Sequence, residues 1–273
     1  MDVFKGLQKQ AFKGFATGLL SLSVLFSHAD NSALPGFEKG LEIAKEQKKR
    51  DQGWVDSQSE MKMILRSASG KENTRFIKLK SLEVPTDGDK SLMVFEQPKD
   101  VAGTAFLTFS HVEKADDQWI YLPALKRIKR IASKKKTGSF MGSEFSFEDL
   151  SSFEVEKYDF NYLRDEKCGE DTCFVVESFP KDKYSGYTRL ISWIDQSNYR
   201  VQKIEFYDKK KALLKVMTVK NYELYGEKFW RPTHSIMENK QTGKATEMFW
   251  ENMRLSTGLT PEDFSKNNLK RAK

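Results

Sequence analysis

Cysteine and histidine are nearly missing from this sequence: 273 residues hold 2 Cys and 3 His. A structural zinc site needs four Cys or His ligands, so a site of that kind is not expected here. The imidazoles left after the N-terminal region, His111 and His234, sit in strand-like runs. Neither is near a nucleophile elbow or an orienting acid, so they read as ordinary sheet residues and catalysis is not expected. "GSFMGS" lacks the lysine and the preceding strand of a phosphate-binding loop. Long apolar runs are also lacking. Beyond the N-terminal region no segment reaches the 18 or more consecutive apolar residues of a bilayer-spanning helix. Hydrophobic residues make up 38% and charged residues 31%. That is little for a fully packed globule and usual for a sheet wetted on one face.

The start of the chain has the three parts of a secretory signal peptide. Lys5, Lys9 and Lys13 precede an apolar run from Phe15 to Phe26, and Ser27-His28-Ala29 offers small residues at a cleavage site. Residues 1–29 are therefore expected to be removed near Ala29, leaving a periplasmic protein. Losing three Lys and one Asp takes the formal charge from +7 to +5. In that oxidising compartment Cys168 and Cys173, which bracket Gly169-Glu170-Asp171-Thr172, are expected to close a hairpin loop as a disulfide.

Residues 31–51 show helical spacing through Leu34, Phe37, Leu41 and Ala44, with Pro35 in the first turn and Lys48, Lys49 and Arg50 in the last. A helix belonging to the fold is expected within residues 30–52, although Gly36 and Gly40 weaken its first half. From Gly53 the period becomes two. Met61, Met63 and Leu65 alternate with charged residues, and eleven further strand-like runs follow, down to Ala245–Leu255. Around a dozen strands on hairpin-length links predict a mainly β domain over residues 53–273. Its single antiparallel sheet must curl or split. Helix is scarce: the N-terminal segment, a turn near Phe147–Ser151 and a piece opening "TPEDF" with Thr260 as cap. The economical arrangement is a curved sheet holding these few helices on its concave side.

Five blocks appear in order: "GWVDSQSEMKMIL", "DVAGTAFLTF", "QWIYLPALKRIKRI", "GSFMGSEFSFEDL" and "YDKKKALLKV". Together they resemble the outer-membrane lipoprotein-sorting family, in the LolA-like branch often encoded beside RND-type transporters. The resemblance runs from about Gly53 to Leu269. It implies an open half-barrel of LolA/LolB type, with acyl chains of a lipid or lipoprotein as ligand. It also implies handover to an RND-type transporter or an outer-membrane acceptor, with transient membrane contact and no cofactor. The same scaffold also serves in sensory or transporter-associated interaction modules whose cavity is filled.

The stretch from Lys126 to Lys136 carries seven basic residues. Export removes nucleic acid as a partner. Arg127 and Arg130 are expected on a strand, one of them reaching the mouth or interior of the half-barrel. Lys134, Lys135 and Lys136 are expected on an exposed loop, either meeting anionic lipid or a partner or simply solvated. The next segment, with Phe140, Met141, Phe145 and Phe147, is expected to cross the opening, as a mobile cover or as a static plug. Met61, Met63 and Leu65 are expected to face the same concavity, as ligand contacts or as core. Glu148 and Asp149 are expected to cap or to form ion pairs, with Arg127 or Arg130 as candidate partners.

Overall fold

A computed structural model of the chain describes residues 35–271. The expected leader, its cleavage point and Leu34 lie outside the described residues. A helix, α1 (Pro35–Arg50), precedes thirteen strands. The first group is β1 (Asp56–Arg66), β2 (Glu72–Leu82), β3 (Lys90–Gln97), β4 (Ala105–Phe109), β5 (Asp117–Leu122) and β6 (Arg127–Ile131). The second is β7 (Tyr158–Cys168), β8 (Asp171–Pro180), β9 (Tyr187–Asp195), β10 (Val201–Asp208), β11 (Leu213–Tyr225), β12 (Phe229–Asn239) and β13 (Ala245–Leu255).

All thirteen form one antiparallel sheet in the order β6-β5-β4-β3-β2-β1-β13-β12-β11-β10-β9-β8-β7. It is a curved, open sheet and not a closed barrel, as the pattern of alternation and turns leads one to expect. The first and last strands pair at its centre, Met63 opposite Met248, while β6 and β7 are its edges. Residues 132–157, here called the strap, therefore join one edge of the sheet to the other.

Alternation sorts the two faces. Met61, Met63, Ile77, Met93, Phe95, Phe106, Met237 and Met248 form one buried cluster on the concave face, beneath the strap. Leu92, Val94, Ala105, Leu107 and Trp119 point the other way. Phe264 and Leu269 cover that outer cluster from two short 3-10 turns. Thr260 caps the first of these turns as expected, in a capping box with Asp263. The C-terminal piece thus packs on the convex face, where Leu107 and Trp119 supply an apolar patch for it.

Helix α1 lies over the β7 end of the concave face. Ile43 and Ala44 pack with Phe160, Val176 and Ile194. Its buried stripe is rotated from the one expected: Phe37 and Leu41 are 38% and 36% exposed, whereas Gly40 is buried. The cause is close approach of two backbones. A Cβ on Gly40 would stand 2.8 Å from the Tyr162 backbone nitrogen and 2.9 Å from that of Asn161. Gly40→Val is therefore expected to destabilise the fold by about 2–3 kcal/mol, since backbone cannot move aside as a side chain can. Gly40→Ala should cost less, because Ala regains about 1 kcal/mol of helix propensity. Urea unfolding of the two variants checks this ranking.

Strand β7 escapes a sequence reading because its Asp159, Asn161, Arg164, Asp165, Glu166 and Lys167 dilute the β signal. Charge at an edge strand is a common guard against edge-to-edge pairing. Cys168 and Cys173 form a disulfide across the β7–β8 turn, as expected.

Candidate functional site

The strap fills one half of the concave face. Phe140 is fully buried, with ring centroids 5.8 Å from Phe95, 5.0 Å from Phe106 and 5.9 Å from Phe147. Met141 and Phe147 pack on the same cluster, and Leu65 lies under the turn at Gly142. Met61 and Met63 are sealed beneath these groups.

Polar contacts pin the strap to both halves of the sheet. Arg75 on β2 donates to the Met141 carbonyl, and Gln118 on β5 donates to the Phe147 carbonyl at 2.7 Å. From the other half, the Thr246 hydroxyl accepts the Glu144 N–H at 2.9 Å, and Asn239 donates to the Glu144 carboxylate at 2.7 Å. Lys215 on β11 reaches inward, its side chain 4% exposed. Its Nζ donates to the Glu144 carbonyl at 2.9 Å and to Asp149 at 2.5 Å. Asp149 also accepts from Ser146 N–H and from Tyr187 O–H at 2.6 and 2.7 Å. Burial and the nearby Asp149 and Glu148 carboxylates push the Tyr187 phenol well up, which keeps it a donor.

Asp149 thus caps the 3-10 turn Phe147–Leu150 as expected, but the ion-pair partners are lysines. Lys136 lies 3.7 Å from Glu148 and 2.7 Å from Asp182. Arg127 and Arg130 are both exposed, and Arg130 is held at 2.5 Å by Asp117. Neither arginine enters the concavity, because β6 is an edge strand whose ends are open to water. Lys134 and Lys135 are exposed, whereas Lys136 is half-buried and committed to carboxylates. Of the residues expected to meet a ligand, Phe145 and Lys136 line the cavity that remains.

That cavity is large, about 1330 Å³, and occupies the half of the concave face that the strap leaves free, bounded by α1. Leu79, Met93, Leu190, Ile204, Met217 and Trp250 form its apolar wall. Farther along the same strands, Ser57, Ser59, Ser81 and Ser91 on β1 to β3 also line it, as do Ser178 and Ser192 on β8 and β9. Sequence reasoning missed these serines, which look like ordinary wet positions until cross-strand register aligns them.

Asp89 stands at the cavity edge and accepts the Val84 N–H at 3.2 Å. Burial raises its carboxyl to about 6, opposed by Lys48 and assisted by Glu154 and Asp51. With the folded value above the unfolded one, the protonated form is favoured by folding. Stability from this group is full below about pH 4 and is lost as pH rises through 6. Asp89→Asn keeps an acceptor for Val84 and should stabilise by about 1–2 kcal/mol at pH 7, after allowance for partial exposure. The gain should vanish at pH 4, which paired urea titrations at the two pH values would read.

Among the described residues no three His, Cys, Asp or Glu side chains converge as a metal site would require. Contrary to the expectation that no orienting acid is near them, each histidine has a carboxylate beside it. His111 Nδ1 lies 2.6 Å from Asp87, and His234 Nε2 lies 2.9 Å from Glu247 with its ring stacked on Phe249. No helix among the described residues is long and apolar enough to cross a membrane.

A family model described as an uncharacterized protein matches residues 87–271. Among solved structures, a Vibrio parahaemolyticus domain provisionally described as an outer membrane lipoprotein-sorting protein is 58% identical, with a TM-score of 0.84. That alignment covers 86% of this chain and 99% of the domain. A DUF1329 family protein from Desulfovibrio piger is 31% identical over 86% of this chain and 99% of its own, with a TM-score of 0.82. The LolA superfamily protein NE2245 from Nitrosomonas europaea shares the fold at 20% identity and a TM-score of 0.67, over 84% of this chain and 98% of its own. Comparison with curated proteins finds no match. With 58% and 31% identity over 86% of its length to these two structures, the chain belongs to the DUF1329 family of outer membrane lipoprotein-sorting-like proteins, built on the LolA fold.

Proposed function

We propose that the protein is a periplasmic carrier that holds the acyl part of a lipid or lipoprotein in the concave cavity for transfer towards the outer membrane. The observation that supports this reading is the cavity itself. Its 1330 Å³ exceeds the roughly 300–1,000 Å³ of usual small-molecule pockets, and Leu79, Met93, Leu190, Ile204, Met217 and Trp250 give it apolar lining. Moving an acyl chain from water onto such a wall yields about 0.8 kcal/mol per buried CH₂, so no covalent chemistry is needed for capture. Release then requires a competitor for the chain, such as an RND-type transporter or an outer-membrane acceptor, during transient membrane contact. Export by cleavage near Ala29 fits the disulfide, which persists in oxidising compartments.

Native mass spectrometry of protein purified from a membrane-containing lysate should show a bound lipid, and fluorescent fatty-acyl probes should bind. Leu190→Asp places a charge on the apolar wall and should weaken probe binding at least tenfold, roughly. Lack of any bound lipid together with lack of probe binding would rule the carrier out.

A further inference from the structure

The two edges of the sheet are finished differently. At β7, α1 packs on the strand's backbone, with Gly40 against Asn161 and Tyr162. At β6 nothing comparable covers the strand: Arg127, Lys129 and Arg130 are exposed, and Ile128 and Ile131 are only half-buried. Alternate residues of an edge strand turn their N–H and C=O groups outward. Apart from the ladder to β5, no hydrogen bond among the described residues uses a backbone group of Arg127–Ile131. Five residues of strand therefore keep an unfilled row of donors and acceptors.

The charge beside this row has one sign. From residue 118 to residue 143 there is no Asp or Glu. Of the seven cations between Lys126 and Lys136, Arg130 is held by Asp117, and Lys136 by Glu148 and Asp182. Lys126, Arg127, Lys129, Lys134 and Lys135 are exposed and have no carboxylate within ion-pair distance among the described residues. Charge on an edge guards against pairing with other edges, and either sign does that. Strand β7 mixes the two, Asp159, Asp165 and Glu166 with Arg164 and Lys167. Strand β6 does not. A second β6 would set like charges opposite, which is unfavourable, whereas an acidic strand would gain at the same positions. A second copy thus has no free strand to give, since its β6 repels and its β7 carries α1.

We propose that β6 is a docking edge for an extended acidic segment of a partner protein, which adds to the sheet as one more strand. Register sets what that segment looks like. Arg127 and Lys129 lie opposite Leu122 and Ile120 and so share the concave side of the pleat, while Ile128 lies opposite Tyr121 on the convex side. The segment therefore carries acids two positions apart, facing Arg127 and Lys129, with an apolar residue between them beside Ile128. Lys126, Lys134 and Lys135, beyond the ends of the strand, draw it in from longer range. An anionic bilayer would meet the same cations, but it offers nothing regular to the backbone row. That row decides for a peptide. Nothing in this docking requires a ligand in the cavity, so it is independent of the carrier reading.

The test uses a capped peptide of alternating glutamate and valine, labelled for fluorescence anisotropy, with the same peptide carrying lysine for glutamate as control. The acidic peptide should bind, weaken as salt is added, and slow hydrogen exchange at alternate amides of residues 127–131. The lysine peptide should bind roughly tenfold more weakly or worse. Arg127→Glu/Lys129→Glu alters exposed side chains that make no ion pair and should stay folded by circular dichroism. It should reverse the order and prefer the lysine peptide. Peptide binding without slowed exchange in β6, or an order that survives the charge reversal, overturns the proposal. So does binding of phosphatidylglycerol vesicles without binding of the peptide, which would assign the cations to a bilayer. Slowed β6 exchange that appears with rising protein concentration and no peptide would assign the edge to a second copy, with the same result. Failure of both peptide and vesicles to bind leaves a merely guarded edge and overturns it too.

Discussion

Phe140→Ala should lower the unfolding free energy by about 3–5 kcal/mol, the range for large aromatic deletions in a packed core. The ring is fully buried, and its neighbours Phe95 and Phe106 come from β3 and β4. They are held by the sheet and cannot collapse into the space left behind, which puts the loss at the upper part of that range. In a domain of this size, each kcal/mol corresponds to roughly 2–4 °C in melting temperature, so a fall of about 10 °C or more is expected by calorimetry. The result distinguishes a plug from a cover. A cover that opens readily would contribute little to global stability, and its truncation would raise lipid uptake. A loss below about 1 kcal/mol with increased uptake would contradict the packing described for residues 138–150.

Lys215→Met is the second large effect. It removes a buried ammonium that serves both the Glu144 carbonyl and Asp149. The Asp149 carboxylate, 6% exposed, would keep its Ser146 and Tyr187 donors but lose its counter-charge. Breaking one side of a buried pair typically costs about 3–5 kcal/mol, because the orphaned charge remains. Asp149→Asn in the same background should restore part of the loss, since it removes that charge while keeping an oxygen acceptor. The coupling between the two substitutions, read from a double-mutant cycle in urea, should exceed about 1 kcal/mol. Additive losses would mean that the two groups do not depend on each other.

Much of this architecture is written locally. Alternation at Met61, Met63 and Leu65 marks a half-buried strand, and turn residues separate the hairpins, because strand period and turn chemistry act over a few positions. What local reading misses depends on partners distant in sequence. Phe37 and Leu41 look like the inner stripe of α1. Only contact with the β7 backbone shows why Gly36 and Gly40 must face inward instead. Met61 and Met63 suggest a ligand surface, yet the strap occupies them, since Phe140 needs somewhere to bury its ring, while Met93 and Met217 do line the cavity. Arg127 and Arg130 draw attention by their charge but stay in water. Lys215 had a visible signal, a lone cation between Leu214 and Val216 in a strand, and it is the one that goes inside. The cavity serines have no signal in one dimension, because they align only through register.

The pairing of the first and last strands at the sheet's centre has a consequence for how the chain assembles. Nearly every other strand contact joins sequence neighbours through a short turn, so the six-strand and seven-strand meanders can each grow by local zippering. The seam between them is different, since Gln58 must find Arg254. Closing so long a loop is entropically costly and is rewarded only once both meanders offer ordered edges. The centre of the finished sheet is thus the place completed last. Changes at the β1–β13 seam should mainly speed unfolding, whereas changes within the hairpins should mainly slow folding.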